Sequence, residues 1–110
     1  MAQYLTQVTY SQEAWQNLVK NPQDRLEAVR PAIEKLGGKV INSWFAFGDH
    51  DVVLLTEMPD NVAAAAIAIA FAAGGSCKSV KTTPLMTVAE GIEALKKAGT
   101  SGYRSATAGR

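Results

Sequence analysis

Aromatic or β-branched side chains alternate with polar ones from Tyr4 to Tyr10, the period-two signature of a strand with one well-buried face. Ser11 then stands where it can cap a short helical segment reaching Val19. Asn21, Pro22 and Asp24 read as the start of a second, longer helix: an N-cap, a first helical position and a carboxylate near the positive end of the dipole. Leu26, Val29, Ile33 and Leu36 form its apolar stripe and Gly37-Gly38 end it, while Pro31 inside it must kink the helix or cost a backbone hydrogen bond.

Two further runs, Lys39 to Phe47 and Asp51 to Met58, offer apolar side chains on each face. Strict alternation puts Val40, Trp44 and Ala46 on one side and Ile41, Phe45 and Phe47 on the other, with Val52 and Leu54 opposing Val53 and Leu55. The corner between them is short and polar: Gly48 suits the positive φ of a tight hairpin, and Asp49, His50 and Asp51 lie at or just inside the tip. Pro59-Asp60 opens an alanine-rich run, Val62 to Ala73, expected to be a buried helix with Asp60 as N-cap and Gly74-Gly75 as its stop. Cys77 to Met86 has the β-branched content of an edge strand, with Lys78 and Lys81 outward and Pro84 near its end. Thr87-Val88-Ala89-Glu90 is a capping-box signature, and Val88, Ile92 and Leu95 follow at helical spacing until Gly99.

The order β-α-β-β-α-β plus a C-terminal helix predicts an α+β, ferredoxin-like fold: a four-stranded antiparallel sheet with both main helices on one face. A single domain is expected over 1–98, with a disordered tail over 99–110, rich in Gly, Ser, Thr and Ala. The other sheet face is left bare. Because the second and third strands are apolar on both sides, that face is expected to meet a second subunit, in a homodimer or higher homo-oligomer, or a small apolar ligand.

Composition removes several functions. A chain of 110 residues allows one domain, and a net charge of +1 with scattered Lys and Arg gives no basic stripe for nucleic acid. The central strands also lack the Arg/Lys-Gly-aromatic pattern of sheets that stack RNA bases. The longest apolar run is too short to span a membrane and is mostly alanine. Cys77 is the only cysteine, which rules out an internal disulfide and suits a reducing compartment. The start Met1-Ala2-Gln3 lacks the regions of a signal peptide, so a cytoplasmic location is expected.

Several stretches resemble the GYD-domain family, small bacterial proteins of the dimeric α+β barrel group. They are Tyr4, Leu36-Gly37-Gly38-Lys39, Phe47-Gly48-Asp49-His50-Asp51-Val52-Val53, Pro59-Asp60 with the alanine run, and Val80-Lys81-Thr82-Thr83 with Leu85. The likeness covers most of residues 2–95. It implies a ferredoxin-like fold and an oligomer, and no general reaction. The sequence departs from the Gly-Tyr-Asp of the family name, since Asp49-His50 stands between Gly48 and Asp51.

Candidate chemistry centres on the same corner. His50, the sole histidine, lies between Asp49 and Asp51, either of which could fix its tautomer for proton transfer; the simpler role for Asp51 is to bind turn amides. Adjacent residues rarely point at one ion and no second His or Cys pair completes a set, so no metal site is expected, and no cofactor. Cys77 beside Lys78 could be a reactive thiol or a packing residue, and Gly74-Gly75-Ser76 lacks the spacing of a phosphate loop. Tyr4, Trp44, Phe45 and Phe47, with Gly48 and Asp49, are candidates to line a small apolar pocket, or else are core and dimer contacts. The leading expectation is an oligomeric small-molecule-binding or assembly module. The alternative is a cofactor-free enzyme, monooxygenase-like or isomerase-like, using His50 with Asp51. A third reading docks another protein on the alanine-rich helix.

Overall fold

A computed structural model describes residues 1–106 of the chain. In chain order the elements are β1 (Ala2–Tyr10), α1 (Gln12–Lys20), α2 (Arg25–Lys35), β2 (Lys39–Phe45), β3 (Val52–Met58), α3 (Asn61–Ala73), β4 (Cys77–Leu85) and α4 (Val88–Gly99). The strands form one antiparallel sheet in the order β2-β3-β1-β4, the ferredoxin-like arrangement. The expectation for the tail falls partly on residues 107–110, outside the described residues.

One face of the sheet carries the core. Tyr4, Thr6 and Val8 of β1 pair with Thr56, Leu54 and Val52 of β3, and all six are buried. Val40, Ile33 of α2, and Ala64 and Ile67 of α3 close over them, so α2 and α3 share that face. Ile33, Leu54 and Met58 are the largest side chains fully removed from water.

Local chemistry explains most boundaries. The Ser11 hydroxyl accepts from the Ala14 N–H at 3.1 Å, and the Asp60 carboxylate accepts from the Ala63 N–H at 2.8 Å. Thr87 and Glu90 make the reciprocal capping box, at 2.9 and 3.1 Å. The end of α2 is a Schellman motif: Gly38 N–H donates to Ile33 O at 3.0 Å and Gly37 N–H to Glu34 O at 2.9 Å, with Gly37 at φ +86°. Gly38 is required for a second reason, since a Cβ there would meet Met58 and lie 2.9 Å from the Glu57 carbonyl oxygen.

Four expectations need correction. Helix α2 begins at Asp24, whose carboxylate accepts from the Glu27 N–H at 2.9 Å, and Asn21 instead closes α1. The residue before a proline is pushed from helical to extended backbone, and Asn21, at φ −137° and ψ 78°, obeys that restriction ahead of Pro22. Strand β2 contains a bulge between Val40 and Asn42. The extra residue reverses the alternation, so Val40 faces the helices while Trp44, opposite Val53, lies on the bare face. The strands stop at Phe45 and Val52, so the corner is a wider loop closed by Ala46 N–H donating to Asp51 O at 2.8 Å, and Gly48 has no positive φ. Finally, α3 is buried along one stripe only: Ala64 and Ile67 are covered, whereas Val62 and Ile69 are exposed.

Candidate functional site

The polar corner turns out to be a clamp. The Asp51 carboxylate accepts from the Tyr10 N–H at 2.9 Å, its own N–H donates to Val8 O at 2.8 Å, and its carbonyl holds Ala46. Tyr10 sits where the β1-β4 register shifts, so Asp51 supplies the acceptor that an irregular strand end lacks. The His50 ring does not meet Asp51 in any hydrogen bond among the described residues. Its Nδ1 lies 3.4 Å from the Thr9 hydroxyl, which also donates to Asp49 O at 3.3 Å. An imidazole held only by a threonine has no carboxylate to orient it for proton transfer.

The aromatic candidates are scattered. Tyr4 is in the core, its hydroxyl donating to Asn61 Oδ1 at 2.6 Å and so tying β1 to the start of α3. Trp44 lies on the bare face, Phe45 is more than half exposed, and Phe47, Gly48 and Asp49 are exposed in the loop. Tyr4 is thus buried while Trp44, Phe45 and Phe47 are exposed, so the four do not share one environment. Among the described residues, no group of His, Cys, Asp or Glu could hold a metal ion. No helix there is long and apolar enough to cross a membrane.

A concavity does exist, on the other side of the sheet. Between the start of α2 and the end of α3 lies a cavity of about 200 Å³. Its floor is Val8, Val52 and Leu54, and its walls are Leu26, Val29, Ala70 and Phe71. Tyr10, Arg25, Ser76 and Cys77 supply the polar rim. The cause is steric: α3 is built largely of alanine, and Ala70 and Gly74 near its end carry too little side chain to fill the space above the sheet.

The electrostatics of the rim are specific. Burial pushes the Tyr10 hydroxyl upward, with the Arg25 guanidinium pulling it back and Cys77 and Asp51 pushing further. Burial likewise raises the Cys77 thiol, against the opposing pull of Arg25. Both groups are therefore neutral near pH 7, and a protonated thiol is a weak nucleophile. Arg25 is the rim's one permanent charge, and the only ion pair among the described residues is Glu27 with Arg30, at 3.1 Å.

Residues 4–95 match the GYD domain family. The chain belongs to that family. No curated protein and no solved structure matches it. The match spans β1 through most of α4, so the GYD domain comprises the whole sheet, the clamp at Asp51 and the cavity. Sequence reasoning missed Tyr10, Arg25, Leu26, Val29 and Phe71 as site residues of this GYD domain. The available signal was the alanine-rich helix opposite a strand that begins with the only cysteine.

Proposed function

We propose that this GYD domain binds a small, mainly apolar molecule carrying an anionic head group. The molecule's body rests on Val8, Val52, Leu54 and Phe71, and its head lies between the Arg25 guanidinium and the Tyr10 hydroxyl. The observation that carries the reading is the cavity itself: about 200 Å³, apolar on floor and walls, with Arg25, which forms no ion pair among the described residues, at the mouth. A cavity of ~150 Å³ accepts benzene, so this one suits a substituted ring or a short acyl chain. A ligand of that size gains roughly 4–6 kcal/mol, a dissociation constant between about 1 mM and 40 μM. Binding is favoured over catalysis because His50 lies outside the cavity and the thiol inside it is protonated. The single cysteine suits a reducing, cytoplasmic setting.

Benzoate, octanoate and the neutral benzyl alcohol are the probes, with Cys77 as the built-in reporter. Benzoate and octanoate are expected to slow alkylation of Cys77 by iodoacetamide saturably, and benzyl alcohol to require a higher concentration. Arg25→Gln removes the advantage of the anions, and Val29→Phe, which fills the cavity, removes protection by all three. Absence of saturable protection by any probe up to about 10 mM overturns the reading.

A further inference from the structure

Tyr10 is held from two sides. Its N–H donates to the Asp51 carboxylate at 2.9 Å, and its ring meets Trp15 of α1 edge to face, with centroids 5.3 Å apart and planes at 88°. Helix α1 is fastened at the same end, the Ser11 N–H donating to Ser76 O at 2.9 Å while the Ser11 hydroxyl caps the helix. Burial keeps the Tyr10 hydroxyl protonated, so it reaches the cavity rim as a hydrogen-bond donor. The facing strand is adjusted as well. Thr9 pairs with Ser79 but Tyr10 with Cys77, which makes Lys78 the extra residue of a bulge. Counting by twos from Val80, opposite the buried Val8, would put Lys78 on the cavity side; the bulge brings Cys77 there instead, and Lys78 is exposed and outside the lining. The rim is thereby left with a single cation, Arg25, whose charge and that of Asp51 act on the Tyr10 hydroxyl in opposite directions.

We infer that Asp51, Tyr10 and Trp15 form the specificity element of the cavity: with Tyr10 fixed in place, its hydroxyl and the Arg25 guanidinium select a singly charged carboxylate over a neutral head or a doubly charged phosphate. This selectivity rests on the ligand binding proposed above and adds to it the identity of the head group. A carboxylate offers two oxygens to the guanidinium fork and keeps a lone pair for the Tyr10 O–H, and its one charge is balanced by Arg25. A phosphate ester brings a charge of about −1.5 to −2 at neutral pH, which one guanidinium does not neutralise, and Asp51 repels the excess. A neutral head forfeits the ion pair altogether. Trp15 is a positioning residue that acts through Tyr10. The bond to Asp51 fixes where the ring starts and the Trp15 contact fixes its tilt, so the hydroxyl meets the head group without having to be ordered on binding. Asp51 has a second role, since its charge also sets the limit on the anion. The bulge serves the same end by keeping the Lys78 ammonium, a second cation that would favour a dianion, out of the cavity.

The test measures protection of Cys77 from iodoacetamide in the full-length chain by benzoate, phenyl phosphate and benzyl alcohol, at about pH 7.5, where phenyl phosphate is largely a dianion. Benzoate is expected to protect at a concentration roughly tenfold below that of either other probe, and Tyr10→Phe, which keeps the ring and loses the donor, weakens benzoate about tenfold. Trp15→Leu weakens benzoate about three- to tenfold in the unaltered background and less than about twofold beside Tyr10→Phe, because the hydroxyl it positions is already gone. Trp15→Phe, which keeps a ring against Tyr10, stays within about twofold of the parent. These substitutions leave the fold intact, since no residue of α1 is buried. Asp51→Asn, which keeps an oxygen acceptor and loses the charge, narrows the preference for benzoate over phenyl phosphate about threefold. Equal protection by benzoate and phenyl phosphate, or a Trp15→Leu loss of the same size with and without the Tyr10 hydroxyl, overturns the inference and leaves the binding reading standing. Absence of saturable protection by every probe in the unaltered chain overturns both.

Discussion

Replacing Asp51 by Ala removes the acceptor at 2.9 Å from the Tyr10 N–H and leaves the loop's two backbone bonds, to Val8 and Ala46, in place. A hydrogen bond to a charged group contributes about 1.5–3 kcal/mol, and this one holds the half-buried Tyr10 N–H beside the register shift, so a loss of about 2 kcal/mol is expected. In a domain of this size that lowers Tm by roughly 10 °C. Asp51→Asn keeps an oxygen acceptor without the charge and recovers about half of the loss. His50→Gln gives up only a 3.4 Å approach to Thr9 and stays within about 0.5 kcal/mol of the parent. Urea unfolding followed by tryptophan fluorescence, with m unchanged across the set, measures all three. If Asp51→Ala proves as stable as the parent, or His50→Gln costs as much as Asp51→Ala, the corner is not a clamp built on Asp51.

Other consequences can be checked in the same way. Gly38→Ala is expected to cost about 1–3 kcal/mol in urea unfolding, since the added Cβ would sit 2.9 Å from a backbone oxygen that cannot move aside. Gly48→Ala meets nothing within 4 Å at a residue without positive φ, so it is neutral or gains about 0.5 kcal/mol by restricting the unfolded chain. The Thr82 hydroxyl is buried without a hydrogen-bond partner among the described residues, and Thr82→Val is expected to stabilise the domain by about 1 kcal/mol; a loss of stability would reveal a hidden partner. Burial raises Cys77 and Tyr10, so the unfolded chain gives up those protons first and stability falls as pH climbs from about 8.5 upward. Cys77→Ser should flatten the lower part of that decline, and alkylation of folded Cys77 should reach half-maximal rate at a higher pH than that of the denatured chain.

The element order was legible because each boundary is set by local chemistry. Ser11, Asp60 and the Thr87–Glu90 box act within one turn of themselves, and Gly37-Gly38 within the turn they end. The start of α2 was misplaced because two capping signals lie close together, and the restriction that Pro22 puts on Asn21 decides for Asp24. The candidate site was less legible still. Trp44, Phe45 and Phe47 stand close together in the sequence, but the bulge after Val40 and the wide loop send them to different surroundings.

What the chain's own pattern determined is the ferredoxin-like order, the capped helix ends and a sheet with one side left over, because periodicity and capping act over a few residues. Only the tertiary structure decided which side Trp44 occupies, that Asp51 serves Tyr10 and not His50, and that a cavity opens where the alanine-poor start of α2 faces the small-residue end of α3. Those outcomes depend on a bulge, on two loop ends meeting across the sheet and on volume left unfilled between elements distant in sequence. None of these leaves a trace in the spacing of neighbours, since each is settled by packing between segments that meet only after the sheet has formed.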